Sequence, residues 1–296
     1  AATDRDARPD AYGDIDVRDL HDRLDLQAGS GSAKVVSVSG AIEASLSYGD
    51  LTVEELGGDL VVRSTSGNVV GKGIKGGARV ESQYGDVELE SVVGAVRVEN
   101  SSGSVRVKTA SDVDARASYG DVEVRGASGT VTARAGSGSL TIDGARSVQA
   151  EADYGSFVRI SNVPGSVSVR SQSAPVDLAE IGGPIDVNAQ YGDVTVRGAR
   201  EAMKLRAQSG TIEVSRVSGK ALDATHSFEA AYGDVSLAWP RSAAPRYRIE
   251  STGGSVRSDF PGTADEFGSR TTISSRDGRG DLVAISQSGS VRLKME

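Results

Sequence analysis

The sequence contains no cysteine, which excludes disulfide bonds, thiolate metal sites and cysteine nucleophiles. Its only two histidines, His21 and His226, lie far apart and outside any metal-binding motif, so a histidine-based metal centre has little support. Aromatic residues make up only 4% of the chain, so a conventional core of large side chains is not available. We therefore expect no metal, no cofactor and no cysteine chemistry.

The chain also lacks a basic cluster and a long apolar run. Its net charge is −8, and charges of both signs are interspersed, a balance that disfavours nucleic acid and anionic lipid as partners. No apolar segment approaches the ~18 residues that a membrane helix needs. The sequence therefore predicts a soluble chain that neither inserts into a membrane nor binds nucleic acid.

What the chain does have is an internal repeat. A Tyr-Gly pair recurs about every 36 residues, at Tyr12, Tyr48, Tyr84, Tyr119, Tyr154, Tyr191 and Tyr232. Midway between these pairs lies a second series that starts with serine, at Ser30, Ser66, Ser102, Ser137, Ser173 and Ser209. The elementary unit is therefore about 18 residues long, and Tyr-type and Ser-type units alternate along the chain.

Each pair is followed by alternating apolar and polar residues, as in Val87-Glu88-Leu89, and a second alternating run follows after a turn. This is the periodicity of strands, and glycine recurs too often for helix interiors. Because the order within each unit is constant, equivalent residues stack when the chain coils. The sequence predicts an all-β fold, a single-stranded parallel β-helix (β-solenoid), right-handed, with about 18 residues per coil and an alternating repeat of about 36 residues.

The Tyr-Gly-Asp triplets are interpreted as structural anchors of the coils. Counting back in twos along the preceding strand places the tyrosine on the inward side, where a large ring alternates with a small serine on the next coil. The glycine is expected to adopt a positive φ and the aspartate to cap the turn. A row of tyrosines that binds sugars or aromatic ligands is the alternative interpretation. The anchors are Tyr48, Gly49 and Asp50; Tyr84, Gly85 and Asp86; Tyr119, Gly120 and Asp121; and Tyr191, Gly192 and Asp193.

The regular spacing breaks near the C-terminus, where most of the large aromatic residues lie. We divide the chain into a charged lead (1–11), a regular solenoid (12–256) with longer loops from about residue 216, and irregular loops with a final coil (257–296) that form a cap. A cap would cover the last coil. The alternative is that these loops form a partner-binding patch. The candidate residues for that patch are Phe228, Trp239, Phe260 and Phe267.

The alternating Tyr-Gly-Asp-Val and Ser-Gly-Ser-Val units, over residues 12–256 and again at Ser288-Gly289-Ser290-Val291, resemble the bacterial adhesin-like or toast-rack family, a domain of unknown function. The resemblance implies an exported protein of the cell envelope, periplasmic or on the cell surface. It implies a role in adhesion, stress sensing or scaffolding, and it transfers no active site.

We therefore expect a noncatalytic envelope scaffold or adhesin-like module rather than an enzyme. Its partner would be another envelope protein or a surface glycan, and the N-terminal end could pair with a second copy of the chain. The alternative is a carbohydrate-binding or carbohydrate-active β-helix, because some β-helices cleave polysaccharides with clustered carboxylates. The only loose cluster of this kind comprises Asp259, Asp265, Glu266, Arg270 and Arg276.

Overall fold

The computed structural model describes residues 13–296, so Tyr12 and the charged lead at 1–11 lie outside the described residues. The chain forms two compact units, residues 1–145 and 146–296. Each unit consists of stacked parallel coils about 18 residues apart, which confirms the predicted all-β solenoid. The only helix in the described part is a short 3₁₀ turn, Gly219–Asp223. The predicted right-handedness stays a prediction.

Each coil of the first unit contributes one strand to each of two sheets. Sheet A contains the strands that end at the Tyr or Ser position. Its strands are β2 (Leu24–Ser30), β4 (Ile42–Tyr48), β6 (Leu60–Ser66), β8 (Ala78–Tyr84), β10 (Val96–Ser102), β12 (Val113–Tyr119) and β14 (Thr130–Ala135). Sheet B contains β1 (Ile15–Leu20), β3 (Ala33–Val38), β5 (Leu51–Leu56), β7 (Val69–Ile74), β9 (Val87–Val92), β11 (Val105–Ala110), β13 (Val122–Ala127) and β15 (Leu140–Asp143).

The core of this unit is a thin layer of branched aliphatic and small residues between the two sheets. Val98 in sheet A and Leu89 in sheet B are fully buried. Several positions nearest the Tyr-Gly corner hold small buried residues, such as Ser82 and Ala117, although Leu46 occupies the equivalent position before Tyr48. Where these positions are small, the two sheets can approach each other more closely.

The strands of sheet B contain a bend that simple alternation does not predict. Their first, third and sixth residues are buried, as in Leu51, Val53 and Leu56. The fifth residue has a left-handed backbone, with φ of 59° at Glu55, and this turn brings the sixth side chain back toward the core. The same conformation recurs in coil after coil of the unit, at Asp19, Ser37, Glu55, Gly73, Ser91, Thr109, Gly126 and Gly144.

The glycine at the Tyr-Gly corner is required because coils approach one another closely there. A Cβ on Gly67 would overlap the carbonyl oxygen of Gly49, and a Cβ on Gly85 would overlap that of Gly67. In this unit the predicted positive φ is also present, with 120° at Gly67. In the second unit Gly210 shows the same close approach without a left-handed φ. Close packing of backbones is therefore the general reason for this glycine.

The second unit has the same two-sheet coils, but its strands do not follow chain order at the end. Its sheet A contains, in spatial order, β16 (Ser147–Ala152), β18 (Val167–Ser171), β20 (Ile185–Tyr191), β22 (Met203–Ser209), β24 (Thr225–Ala230), β30 (Arg279–Ser286), β26 (Pro245–Ser251), β29 (Arg270–Ser275) and β28 (Thr263–Phe267). Its sheet B contains β17 (Val158–Val163), β19 (Val176–Ile181), β21 (Val194–Ala199), β23 (Ile212–Ser215), β25 (Val235–Trp239), β31 (Val291–Met295) and β27 (Val256–Ser258).

The final coil of the sequence is therefore not the last coil in space, and the predicted division into lead, solenoid and cap stays a prediction. Strands β30 and β31 lie between the coil of β24 and β25 and the coil of β26 and β27. Both pairings are parallel, so the final segment completes a normal coil at this place. The inserted loops from residue 240 onward allow this order, because they let the chain bypass one coil position before it returns.

The edge of sheet A in this unit is covered by an antiparallel hairpin of β28 and β29. Strand β29 pairs with β26, and β28 pairs only with β29. The buried carboxylate of Glu250 on β26 bonds to Arg248, with Oε2 2.8 Å from Nη2, and to Arg270 of the hairpin. Burial would raise the pKa of Glu250, but the bonds from Arg270 and Arg248 outweigh it and hold that pKa below its usual value. This ion-paired carboxylate fixes the hairpin to the coil.

Candidate functional site

The repeated tyrosines lie on the surface, and the prediction that they point inward is wrong. Tyr48, Tyr84 and Tyr119 in the first unit and Tyr154, Tyr191 and Tyr232 in the second are 56–68% exposed. Tyr84 follows the buried Val80 and Ser82 in β8, so simple alternation would bury it. It cannot turn inward, because the chain reaches the corner at Gly85, where backbones of adjacent coils fill the narrow edge.

Strand register fixes the spacing of the tyrosines in the first unit. Tyr84 pairs with Ser66 on one side and with Ser102 on the other, and Ser102 pairs in turn with Tyr119. Ser66 also pairs with Tyr48. The exposed rings therefore recur at every second coil, and because neighbouring strands are ~4.8 Å apart, adjacent rings are separated by roughly 9–10 Å. We call the row formed by Tyr48, Tyr84 and Tyr119 the tyrosine row.

A polar groove of about 640 Å³ runs along sheet A, and its lining includes the residue before each tyrosine of the row but none of these tyrosines. One column of its lining consists of uncharged polar side chains. In each of these coils, the side chain belongs to the residue just before the Tyr or Ser position. These residues are Ser47, Thr65, Gln83, Ser101 and Ser118. Their hydroxyl and amide groups can each donate and accept hydrogen bonds. In the sequence, a polar residue precedes the repeated Tyr or Ser in each of these five coils, and this pattern could have predicted the column.

The other column of the groove is charged, and its charges compensate one another. Arg63 Nε lies 3.6 Å from Glu81 Oε2, and Arg116 Nη1 lies 3.4 Å from Glu99 Oε1. The pKa of Glu99 is held below its usual value, mainly by the hydrogen bond from Arg97. Glu99 is therefore a carboxylate at neutral pH and is a poor general acid. The groove presents hydrogen-bonding groups without a net charge.

The second unit repeats this arrangement in part. A smaller groove of about 360 Å³ is lined by Glu151, Arg170, Gln172, Asn188 and Gln190. Arg170 Nη1 lies 3.4 Å from Glu151 Oε1. Tyr191 ends β20 in register with Ser209 of β22, as the tyrosines of the first unit do with their serines. The combination of exposed tyrosine, amide side chains and paired charges is therefore a property of the repeat.

The aspartate after each corner glycine bonds to the adjacent coil. Asp86 Oδ1 accepts a hydrogen bond of 2.8 Å from the backbone N–H of Ser104, and Asp50 Oδ1 accepts one of 2.7 Å from that of Asn68. The bond from Ser104 is the main reason that the pKa of Asp86 lies below its usual value. Asp121 and Asp193 make the equivalent bonds. This structural role explains the repeated Gly-Asp pair without a bound ion, and no metal-binding cluster of three His or acidic residues exists within residues 13–296.

Three of the four aromatic residues suggested for a C-terminal binding patch are buried. Phe228, Trp239 and Phe260 belong to the core of the second unit, and only Phe267, on the hairpin, is exposed at 85%. Phe228 and Trp239 lie on β24 and β25, and Phe260 follows β27. These three residues therefore support the cap rather than the binding patch.

The loose cluster of acidic and basic residues near the C-terminus does not form a compact site. Asp265 and Glu266 are neighbours on β28, so their side chains leave opposite faces of the strand. Asp259 Oδ2 accepts a hydrogen bond of 3.2 Å from the backbone N–H of Met295, and Arg270 is paired with Glu250. Asp259 and Arg270 are thus used in separate local contacts.

Stacked parallel coils that repeat an exposed tyrosine at the corner define a β-solenoid with a repetitive surface. The chain belongs to the Toastrack DUF4097 family, whose model matches residues 90–294 and so covers more than half of it. The match starts later than the resemblance over residues 12–256 and includes the final coil. No match was found among curated proteins or among solved structures. Within the described residues, no helix has the length and apolar character to cross a membrane.

Proposed function

We propose that this protein is a noncatalytic interaction module of the cell envelope, exported to the periplasm or the cell surface, that binds its partner through the exposed tyrosines. The observation that carries the proposal is the exposure of every repeated tyrosine in the described part of the chain. An exposed aromatic ring in water gains free energy when a partner covers it, and tyrosine is enriched at binding surfaces for this reason. A rigid solenoid that repeats such a residue offers several equivalent contacts to one extended partner.

A triple variant with Tyr48, Tyr84 and Tyr119 each replaced by serine tests this role. Serine occupies the equivalent register positions in Ser66 and Ser102, so the coils should tolerate the change. We expect the immobilised wild-type protein to retain envelope material and the triple variant to lose most of that retention at an unchanged melting temperature. Phe267→Ser, which removes an exposed ring outside the tyrosine row, is the matched control. Equal retention by the wild-type protein and the triple variant would contradict the proposal.

A carbohydrate-active enzyme is the second candidate, and it has less structural support, because Asp265 and Glu266 are exposed but leave opposite faces of β28. Incubation with a polysaccharide panel tests it. Cleavage that is lost when both residues are replaced by alanine would favour this candidate over a binding module.

Self-association through the N-terminal end is a further part of the proposal. Among the described residues, β1 pairs only with β3 and β2 only with β4, so one edge of each of these strands has no described neighbour. Strand edges of this kind pair readily with other chains. A mass in solution that rises with concentration is the expected result, and a constant monomer mass would exclude this mode of pairing.

A further inference from the structure

We propose that a cationic pocket at the edge of sheet B in the second unit binds the phosphate group of a small phosphomonoester. The pocket has a volume of about 390 Å³ and lies over β25, β31 and β27, which are neighbours in that order. Three basic side chains, Arg257, Arg292 and Lys294, line it together with one carboxylate, Asp234. No repeated tyrosine belongs to the lining, so the inference goes beyond the proposed function and does not depend on it.

Strand register brings the three basic side chains to one surface. Arg292 of β31 pairs with Arg257 of β27. Val291 and Leu293, on either side of Arg292, are buried, so Arg292 points away from the core. Lys294 follows two residues later on the same strand and lines the same pocket. Because neighbouring strands are ~4.8 Å apart, all three cations lie within reach of one small anion.

The three cations have no ion-pair partner among residues 13–296. Arg106, at the second position of a sheet B strand in the first unit, shows the contrasting arrangement, because its Nη1 lies 3.1 Å from Asp86 Oδ2. Arg292 occupies the same strand position, yet its partners in the neighbouring strands are Ser236 and Arg257. In the described chain, no carboxylate therefore neutralises Arg292 as Asp86 neutralises Arg106.

Asp234, the one carboxylate in the lining, is used in the backbone contact that the repeat requires. Its Oδ1 accepts a hydrogen bond of 2.7 Å from the backbone N–H of Ser290. The lining keeps an excess of two positive charges. Arg257 and Arg292, side by side on adjacent strands, repel each other. An anion between them replaces this repulsion with two attractions, so the charges of the pocket favour an anionic ligand.

The hydroxyl groups of the pocket favour phosphate over a carboxylate. Ser290 Oγ accepts hydrogen bonds from the backbone N–H of Ser255 at 3.3 Å and from its hydroxyl at 3.1 Å, which leaves the Ser290 proton free to donate. Ser236, also in the lining, carries another hydroxyl donor. A phosphomonoester offers three strong acceptor oxygens and a charge of about −1.5 to −2 at neutral pH, so it can bind two guanidinium groups and a hydroxyl together. A carboxylate has only two oxygens and a single charge.

A small molecule suits this pocket better than a membrane surface does. The chain has a net charge of −8, so the rest of the protein would repel an extended anionic bilayer. A single phosphate group needs only the local field of the pocket, because charges more than about 8–10 Å away are largely screened at physiological ionic strength. The volume of about 390 Å³ also leaves room for an organic group attached to the phosphate.

The test is a calorimetric titration of the full chain with glycerol 3-phosphate and with inorganic phosphate at low salt. We expect both to bind at least tenfold more tightly than acetate. Arg257→Gln and Arg292→Gln should each weaken the binding of glycerol 3-phosphate at least tenfold, because each removes a charge-assisted contact. Arg292→Lys keeps the charge but not the planar fork, so its loss should be smaller. Arg276→Gln, which removes an exposed arginine from a different pocket of the same unit, is the matched control and should leave binding unchanged.

Thermal unfolding gives a second readout. Arg292→Gln removes one of two like charges, so its melting temperature in phosphate-free buffer should equal or exceed that of the wild-type protein. Glycerol 3-phosphate should raise the melting temperature of the wild-type protein and not that of Arg292→Gln. A lower melting temperature of both glutamine variants without phosphate would show that the arginines already have stabilising partners, and it would contradict the inference.

The remaining outcomes decide the ligand. If neither phosphate compound binds, or if acetate binds equally well, the assignment to phosphate is wrong. Unchanged binding in both glutamine variants would place the phosphate elsewhere on the protein. We expect phosphatidylglycerol vesicles to bind no more than phosphatidylcholine vesicles do. Vesicle binding that Arg292→Gln abolishes, without binding of glycerol 3-phosphate, would overturn the small molecule in favour of a lipid headgroup. The triple tyrosine variant should bind glycerol 3-phosphate normally, so failure of this inference leaves the proposed function standing.

Discussion

At the scale of single residues, the aspartate after the corner glycine connects one coil to the next through its side chain. Its Oδ1 atom satisfies a backbone N–H that lies at the turn of the adjacent coil, beyond the end of the strand ladder. Asn68 does the same for the N–H of Asp86, at 2.9 Å. The position therefore requires a short side chain with a carbonyl-type oxygen, and it does not require a charge.

We expect Asp86→Ala to destabilise the fold by about 1–2 kcal/mol, because the Ser104 N–H loses its acceptor. Asp86→Asn should cost only a few tenths of this, since Asn68 fills the equivalent position. Since the pKa of Asp86 is lower in the folded state than its usual value of 3.8, its contribution is complete above that value and is lost as the pH falls below it. Urea unfolding at neutral pH measures the difference. Equal losses in both variants would show that the charge, rather than the hydrogen bond, matters.

The left-handed bend of sheet B allows a second comparison at this scale. Gly126 and Thr109 occupy the same position on successive coils, with φ of 69° and 56°. A Cβ on Gly126 would have its nearest neighbour, Thr109 Oγ1, at 3.8 Å, so there is space for a side chain. We therefore expect Gly126→Thr to cost about 1–2 kcal/mol through backbone conformation alone, and Thr109→Gly to stabilise by a smaller amount. Chemical denaturation of both variants checks the signs, and a neutral Gly126→Thr would contradict the conformational explanation.

At the scale of elements, the aromatic cluster around β24 contains a buried histidine. His226 stacks on Phe228 at a centroid distance of 6.0 Å and meets the Trp239 ring edge-on at 5.1 Å. Its Nδ1 accepts a hydrogen bond of 3.2 Å from the backbone N–H of Met203, which leaves Nε2–H to donate to the carbonyl of Ala221 at 2.7 Å. This second bond joins β24 to the 3₁₀ turn Gly219–Asp223, so the neutral ring holds that turn against the strand.

Burial lowers the pKa of His226 below its usual value of 6.5. The unfolded chain therefore binds a proton at higher pH than the folded one, and the stability that depends on His226 is complete above pH 6.5 and is lost as the pH falls below it. We expect the free energy of unfolding to fall as the pH decreases from 6.5 toward the lower pKa that His226 has in the folded protein. His226→Gln should remove this slope, measured by urea unfolding between pH 7 and pH 5. The exposed His21 provides the control: His21→Gln should retain the slope, and a slope unchanged in His226→Gln would assign it to other groups.

At the scale of the whole molecule, the order of coils in the second unit makes the end of the chain part of its interior. Removal of residues 279–296 deletes β30 and β31, and with them the strands to which β26 and β27 pair in parallel. In a solenoid with coils in chain order, the same deletion would only shorten the stack. We expect the shortened chain to lose protection of residues 240–278 against protease while the first unit remains protected. Continued protection of residues 240–278 would show that they fold without the inserted coil.

The repeat predicts most of the fold because one pattern of spacing and alternation is repeated in coil after coil. Two features required information beyond that pattern. Alternation places Tyr84 inward, but the close approach at Gly85 overrides it, since the narrow edge of the coil is filled by backbone. The order of the last coils also depends on whether β30 or β26 pairs with the edge of β24. Local sequence does not distinguish those strands, because both offer the same ladder of backbone groups.

The inserted position of β30 and β31 also has a consequence for biosynthesis. Coils of the first unit can close one after another as the polypeptide leaves the ribosome, since each pairs with the coil made just before it. The coil of β26 and β27 must wait until Met295 at the end of β31 has emerged. The edge of β24 stays uncovered during the synthesis of about 50 further residues. A chaperone that protects nascent β-edges would therefore have its longest contact with this segment.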